Sequence, residues 1–250
     1  MDVWYDDNYN YNVKQRIHLS GNRAMKLTKD QAAANRQTII ETAGRLFRER
    51  GFDGVGVADL MKVAGFTHGG FYNHFSSKAA LAAEAASLGL KNSHSQLLDV
   101  LLNEERPSSG LAKHVEHYLS HEHRDDRAGG CAIASLASDA ARGNRAIQAG
   151  FALGIDEELN TLASYFRKFD SKDQDSALSA RERAIQLMSE LVGAVILARA
   201  VAHANPALSE QILQVSRRNF LDKGATRTRP RGRNPAGLSR RQSRRRSRRA

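Results

Sequence analysis

The chain has 250 residues, 41% of them hydrophobic, and a formal net charge of +11. This hydrophobic fraction is enough to bury a core in one large domain or two small ones. The single cysteine, Cys131, excludes an internal disulfide and a metal site built from several cysteines, and it is typical of a reducing compartment.

The N-terminal residues 1–27 are polar and aperiodic, and we expect them to form a disordered extension. They begin MDVWYDDNYNYN, which has acidic residues where a signal peptide needs basic and then apolar ones. The longest strongly apolar run, at 191–202, is too short to span a bilayer and contains Arg199. These features predict a soluble cytoplasmic protein that does not enter a membrane.

Hydrophobic periodicity predicts helices along the rest of the chain and no convincing strand, so the expected fold class is all-α. Thr28 and Gln31 match the capping box of a first helix, and Gly51 supplies its C-terminal stop. Ser76 is the expected N-cap of a long helix that begins near Ser77. The larger predicted helices are 30–50, 57–64, 77–103, 109–123, 131–142, 144–169, 177–203 and 207–221.

The helix at 57–64 is followed by Gly65, Phe66 and Thr67 and then by a second short helical piece. Two short helices joined by about three residues, with Gly in the turn, are the signature of a helix-turn-helix. The second helix of such a motif enters the major groove of DNA. We therefore predict that residues 28–76 form a DNA-binding domain.

Two adjacent glycines, Gly69 and Gly70, interrupt this second helix, although a helix-interior Gly costs roughly 0.5–1 kcal/mol relative to Ala. Their missing Cβ atoms would let the backbone approach DNA closely. Asn73 can form two hydrogen bonds with an adenine edge, and Lys78 occupies a helix start that favours a cation only beside a phosphate. The predicted DNA-binding residues are Thr67, His68, Gly69, Gly70, Tyr72, Asn73, His74 and Lys78.

Other roles stay open for some of these residues. Tyr72 could be a packed aromatic, His74 could brace the motif instead of touching DNA, and Lys78 could be an exposed lysine without a role. Phe71 and Phe75, four residues apart, are expected on the buried side of the motif.

The segment TIIETAGRLFRERGFDGVGVADLMKVAGFTHGGFYNHFSSKAALAAEA resembles the DNA-binding domain of the TetR family of bacterial transcriptional regulators. The matching features are LFRERGF, VADLMKVAG and above all YNHFSSKAAL. The resemblance implies a three-helix DNA-binding domain, followed at 77–222 by a helical domain that binds a small ligand and forms a dimer. It also implies that Tyr72 and His74 lie on the recognition helix and that Lys78 contacts phosphate. Val57 departs from the family, which often has Thr there to hold the DNA backbone.

The last two predicted helices carry broad apolar faces that one subunit alone would leave exposed. The resemblance implies that they form a four-helix interface in a homodimer; the alternative is that both faces belong to the core of one chain. A two-fold dimer predicts a pseudo-palindromic operator. The apolar residues are Ile185, Met188, Leu191, Val192, Val195 and Ile196 in the first helix and Leu208, Ile212, Val215 and Phe220 in the second.

Three histidines, His114, His117 and His121, recur on one face of the helix predicted at 109–123, a spacing that metal ligands can have. No cysteine lies near them in the sequence, and histidine-rich exposed faces are common. We therefore predict no metal and no cofactor.

Cys131 follows a Gly pair and opens an apolar helix, whose N-terminus would lower the thiol pKa. It is a possible redox sensor; the alternative is a small buried hydrophobe. The ligand-binding residues are otherwise unknown. Because pockets favour aromatic residues, the candidates are Tyr118, Phe151, Tyr165 and Phe166.

Residues 223–250 hold one Lys, eleven Arg and no acidic residue, which leaves 26 basic and 27 acidic residues in the rest of the chain. This tail is too rich in Arg, Gly and Pro to fold, and we predict that it is disordered. It could bind nucleic acid nonspecifically, or it could be an incidental extension.

These features predict a dimeric, ligand-responsive regulator that represses transcription until a small-molecule effector releases it from double-stranded, palindromic operator DNA. The alternative is a nonspecific nucleic-acid-binding protein that acts through its basic tail. The sequence shows no nucleophile–base pair, phosphate loop or paired acids at diagnostic spacing, so we expect no enzyme.

Overall fold

The computed structural model describes residues 28–102, 107–169 and 178–226. These residues form α-helices, one 3-10 helix and no strand, which confirms the all-α prediction. The predicted N-terminal extension, 1–27, and all of the basic tail after Thr226 lie outside the described residues. The helices are α1 (Lys29–Arg50), α2 (Val57–Val63), the 3-10 helix (His68–Asn73), α3 (Lys78–Leu102), α4 (Pro107–Tyr118), α5 (His121–Asp125), α6 (Ala132–Arg142), α7 (Arg145–Phe169), α8 (Ala180–Val201) and α9 (Pro206–Thr226).

Helix α1 begins and ends where local sequence signals place its ends. The Thr28 hydroxyl accepts a hydrogen bond from the Gln31 N–H (3.2 Å). Gly51 has φ 74°, and its N–H donates to the Phe47 carbonyl (2.7 Å), so it ends the helix as expected. The predicted cap of α3 is wrong by one residue: Ser77, and not Ser76, accepts a hydrogen bond from the backbone N–H of the third residue of α3 (3.1 Å).

The first three helical elements pack against the first half of α3. Ile39 and Phe47 of α1, Met61 of α2 and Leu81 of α3 are completely buried between these elements. At the edge of this core, the Arg36 guanidinium pairs with a carboxylate of α3 (2.6 Å) and covers an aromatic ring at 4.7 Å. The small helical unit at the N-terminus is therefore fixed to α3 by both apolar packing and charge.

The second half of α3 packs against α7, and this contact depends on a glycine. A Cβ built on Gly154 of α7 would lie 2.9 Å from both the Cβ and the Cδ1 of Leu90 in α3. Real Cβ atoms do not approach other carbons so closely, so the two helices could not keep their present separation with a larger residue.

Two helix boundaries differ from the sequence prediction. The helix expected over 109–123 ends at Tyr118, and the Ser120 hydroxyl caps a separate short helix by accepting from the His123 N–H (3.1 Å). The last helix, α9, continues through Thr226, four residues into the segment that we predicted to be disordered.

Residues 123–131, here called the wall segment, connect α5 to α6 and are held by an arginine of α8. The Arg199 guanidinium donates hydrogen bonds to the carbonyls of His123 and Arg124, both at 2.8 Å, and to the Ser135 hydroxyl of α6 at 3.1 Å. One side chain thus fixes the wall segment and α6 relative to α8, and it satisfies backbone carbonyls that helices leave unpaired.

Helix α8 has 22 residues and is long and apolar enough to cross a membrane; no other helix within 28–102, 107–169 and 178–226 is. The sequence prediction judged its apolar run too short because it counted only 191–202. Core helices of water-soluble proteins satisfy the same criterion, and Arg199 makes its hydrogen bonds inside this fold. The length of α8 is therefore weak evidence for a membrane span.

We predict that Gly154→Ala destabilises the protein by about 1–3 kcal/mol, because its Cβ must displace Leu90 or separate α3 from α7. The matched control is Gly150→Ala in the same helix, where a Cβ would meet nothing within 4 Å. This control should be stabilising by about 0.5–1 kcal/mol, because Ala favours helix over Gly. Urea unfolding followed by circular dichroism measures both, and equal stability of the two variants would contradict the close approach.

Candidate DNA-binding surface and internal cavity

The turn between α2 and the 3-10 helix has the geometry of a helix-turn-helix. Gly65 adopts φ 83°, a left-handed conformation that L side chains rarely adopt. The Phe66 N–H reaches back to the Met61 carbonyl at 2.8 Å and closes the turn. The second helix of the motif is a 3-10 helix of six residues, His68–Asn73, in agreement with the low helix propensity of its two glycines.

The 3-10 helix has one buried and one exposed side. Phe71 and Phe75 are 1% and 4% exposed, and their ring centroids lie 5.6 Å apart, which confirms the predicted buried side. Tyr72, by contrast, is 66% exposed, and only ring edges of its neighbours touch it. It is therefore not the packed aromatic of the alternative interpretation. The side chain of Tyr72 therefore faces solvent.

Most of the residues predicted to bind DNA lie together on this exposed side. The exposed members are Thr67, His68, Gly69, Tyr72 and Asn73, and the half-buried ones are Gly70, His74 and Lys78. The Thr67 hydroxyl makes no capping hydrogen bond, although Thr67 occupies the N-cap position. The hydroxyl is therefore available to an external acceptor.

Lys78 is the first residue of α3 and forms no ion pair with any residue that the structure describes. The first turn of α3 contains no acidic residue. A cation at a helix N-terminus is unfavourable by a few tenths of a kcal/mol unless an anion lies near it. The position of Lys78 therefore suits a phosphate group beside the 3-10 helix.

The fold itself does not require the two glycines of the 3-10 helix. A Cβ on Gly69 would meet nothing within 4 Å, and one on Gly70 would make ordinary contacts at 3.5 and 3.8 Å. Neither residue has a positive φ, so neither uses the backbone freedom that is special to glycine. No described residue of this chain excludes a side chain at Gly69, so a reason for the glycine must come from a molecule outside the chain.

A cavity of about 610 Å³ lies between the wall segment and the six helices α3 to α8. Four aromatic rings from α4 and the wall segment form one side of it, and four carboxylic acids also line it. The rings belong to His114, His117, Tyr118 and His123, and the carboxyls to Asp99, Glu122, Asp126 and Glu158. Of the four aromatic candidates named from sequence, Tyr118 lines the cavity, whereas Phe151, Tyr165 and Phe166 are buried outside its lining.

Burial shifts the pKa values of the groups that line the cavity. It raises the pKa of Glu158 to about 7, because the carboxylate would be poorly solvated there. Burial, and then the neighbouring His117, lowers the pKa of His114 to about 4. The Tyr118 hydroxyl is buried, and the hydrogen-bonding group beside it is the weakly accepting Cys131 thiol. The cavity therefore holds a carboxyl that is partly protonated at neutral pH and a buried phenol beside a thiol.

Cys131 opens α6 at the cavity, but its chemistry differs from the prediction. Burial is the main cause that raises the pKa of its thiol, and the nearby Glu158 raises it further. The expected lowering of the pKa is therefore wrong, because desolvation outweighs the helix N-terminus. The Cys131 N–H donates to Nε2 of His123 (3.1 Å), so the residue also fixes the wall segment. Its role as a redox sensor stays a prediction.

The three histidines of the predicted helix do not share a face. His114 and His117 line the cavity, whereas His121 lies on α5 and pairs with Glu210 of α9. Ser120 breaks the helix between them. Among the residues that the structure describes, no three His, Cys, Asp or Glu side chains are grouped to hold a metal ion.

Sequence analysis missed Glu158, although a local signal was present. Ile155, Leu159 and Leu162 surround it at helical spacing on the buried face of α7. An acidic residue in the middle of such an apolar stripe is unusual and indicates either a partner or a cavity. Its proximity to Tyr118, forty residues away, is not readable from the sequence.

The N-terminal helices match a known family. The family model described as "Bacterial regulatory proteins, tetR family" matches residues 39–85, from the middle of α1 to the start of α3. The chain is 38% identical over 73 residues to the HTH-type transcriptional regulator TtgR of Pseudomonas putida, a match that covers 29% of this chain and 34% of TtgR. The chain thus matches about a third of the length of this regulator.

Solved structures share this fold over about three quarters of the chain. Reduced NemR of E. coli superposes with a TM-score of 0.65 at 19% identity, covering 76% of this chain and 96% of NemR. A TetR-family transcriptional regulator from Agrobacterium tumefaciens does so with the same TM-score and identity, over 77% and 98% of the two chains. At this identity the likeness concerns the fold. The helix-turn-helix and the match at 39–85 show that this N-terminal segment is similar to the DNA-binding domain of the TetR family of bacterial regulatory proteins.

Proposed function

We propose that this chain is a cytoplasmic, dimeric transcriptional repressor that binds a palindromic operator through its helix-turn-helix and is released by a small-molecule effector. The observation that carries the proposal is the exposed side of the 3-10 helix. There the predicted contact residues converge, and Gly69 is a glycine that the fold does not need. A close approach of this backbone to base edges would explain why residue 69 is glycine.

Apolar side chains on α8 and α9 support the dimer. Of the residues predicted for the interface, Leu191 and Val195 are buried in the chain's own core, and two others, Met188 and Val192, line the cavity. The exposed large apolar residues on these two helices are Ile185, Ile196, Leu197, Leu208 and Val215. A second copy of the same two helices would cover this face by two-fold symmetry.

The wall segment supports the response to an effector, because it joins the cavity to the DNA-binding helices. The Arg48 Nε of α1 donates a hydrogen bond to the Ala128 carbonyl at 2.5 Å. Asp126, Gly129 and Gly130 on either side of Ala128 line the cavity. An effector that displaces this segment would move α1, and with it the helix-turn-helix, and so shift the population away from the DNA-binding arrangement.

The test is selection of DNA from a random pool by the full chain and by a variant that lacks residues 227–250. The proposed function predicts that both select the same palindrome, since base contacts belong to the folded domain. If the full chain binds DNA without sequence preference and the truncated chain does not bind, the basic tail is the binding element and the proposal fails.

We predict that Gly69→Ala folds normally but loses at least about tenfold in affinity for the recovered operator. The new methyl group has free space in the protein, so the loss would come from a clash with DNA. Gly150→Ala, equally free of contacts but remote from this surface, is the control and should bind as the unmodified chain does. Fluorescence anisotropy at one salt concentration measures both, and unchanged binding by Gly69→Ala would remove the proposed close approach.

We also predict that Lys78→Ala weakens binding to operator and to unrelated DNA by similar factors, and that it reduces the slope of log affinity against log salt by about 1 per subunit. The reason is the loss of one phosphate contact, which carries no sequence information. Lys91→Ala, an exposed lysine of the same helix, serves as the control for the lost charge. A variant that loses sequence preference instead would place Lys78 at a base edge.

A further inference from the structure

The carboxylic acids that line the cavity are not balanced by basic side chains. Among the described residues that line it, four are carboxylic acids and none is Lys or Arg. Asp99, Glu122 and Asp126 also reach solvent, and the Asp126 carboxylate accepts a hydrogen bond from the Gly129 N–H at 2.7 Å. Glu158 is the buried one of the four, with 8% of its surface exposed.

Glu158 lacks a partner of opposite charge. It forms no ion pair with any of the residues that the structure describes, and its long side chain ends at the cavity. A buried carboxylate is stable only when a cation or several hydrogen-bond donors lie beside it. The space beside Glu158 is open, so the compensating positive charge has room to come from a bound molecule.

The aromatic rings beside Glu158 suit the same kind of molecule. The rings of Tyr118 and His123 lie 4.4 Å apart between centroids, His114 lies 5.7 Å from Tyr118, and His117 lies 5.9 Å from His123. Aromatic faces attract cations within about 6 Å. Burial lowers the pKa of both His114 and His123, so these rings do not repel a cation at neutral pH.

We propose that the cavity binds an organic cation, an amine or quaternary ammonium compound with apolar substituents, whose charged centre pairs with Glu158 and faces the four rings. The volume of about 610 Å³ is in the range of pockets for small molecules. Leucine and isoleucine side chains from α3, α6, α7 and α8 line the remaining space and would contact the apolar substituents; they are Leu97, Ile133, Leu162 and Leu191. This inference rests on the proposed function in that it names the class of effector.

The test compares cations with an uncharged molecule of the same shape, by calorimetry on the full chain at pH 8 without DNA. The probes are phenyltrimethylammonium, choline and 3,3-dimethylbutan-1-ol, in which a carbon replaces the nitrogen of choline. The comparison molecule is neutral because an anion would bind the eleven arginines of the tail.

Glu158→Gln should weaken the binding of both cations by at least about tenfold and change the binding of the alcohol by less than about twofold. Gln keeps the size of the side chain and removes only its charge. The matched control is Glu157→Gln, which removes the same charge from the adjacent position of α7 outside the lining of the cavity. This control should bind all three probes as the unmodified chain does.

The pH profile gives a second readout. Phenyltrimethylammonium is charged at every pH, so its affinity changes only through the protein. Because burial raises the pKa of Glu158 to about 7, affinity should rise about tenfold from pH 6 to pH 8 and fall as acid protonates the carboxyl. The other titratable groups that face the cavity are Asp99 of α3, His114, His117 and Tyr118 of α4, Glu122, His123 and Asp126 around α5, and Cys131 before α6. Glu158→Gln retains all of them, so the difference between the two profiles isolates Glu158.

Three outcomes would overturn this inference: neither cation binds the unmodified chain, Glu158→Gln binds the cations with full affinity, or it loses the cations and the alcohol equally. The last result would mean that Glu158 only maintains the shape of the cavity. Should Glu158→Gln fail to fold, a flat pH profile of the unmodified chain would overturn it as well. A chain that binds the cations through Glu158 but selects no DNA sequence would instead refute the proposed function and leave this inference standing.

Discussion

One continuous helix, α3, joins the helix-turn-helix to the internal cavity. It begins at Lys78, beside the 3-10 helix, and its residues from Ser93 onward line the cavity. Fifteen residues separate these points, or about 22 Å at the rise of an α-helix. A helix cannot change its length without breaking hydrogen bonds, so a displacement at the cavity end must tilt or translate the end that lies at the DNA-binding surface. The close approach of Leu90 and Gly154 makes α7 the support on which α3 rests.

The wall segment is a second connection between the cavity and the N-terminal helices. Two arginines from different helices hold it in place. Arg48 reaches it from the DNA-binding helices, and Arg199 reaches it from α8, the helix with the exposed apolar face. Both guanidinium groups bind backbone carbonyls, so their hydrogen bonds depend on the path of the main chain and not on any side chain of the segment. The wall segment therefore contacts α1 and α8 and lines the cavity at the same time.

The sequence predicts those features that depend on neighbouring residues. Helical periodicity, the Thr28 cap, the Gly51 stop and the glycine turn of the helix-turn-helix are all local, and the structure agrees with them. The N-cap of α3 was misplaced because two adjacent serines offer the same hydroxyl, and only backbone geometry distinguishes them. The cavity could not be predicted, because its groups come from six helices and the wall segment, and its properties arise from burial. The thiol pKa of Cys131 shows the same limit: the local helix N-terminus lowers it, and the non-local burial raises it more.

In the proposed function, the distribution of charge assigns specific recognition to the helix-turn-helix. Residues 223–250 carry twelve positive charges, whereas the rest of the chain is nearly neutral. Attraction between such a segment and phosphates is the same for every DNA sequence, so it raises the affinity for operator and for competing sites by equal factors. The ratio of the two affinities, which decides occupancy in a genome, is unchanged by it. Only groups that meet base edges alter that ratio, and under the proposed function these groups lie on the exposed side of the 3-10 helix, with Tyr72 and Asn73 around an unobstructed Gly69.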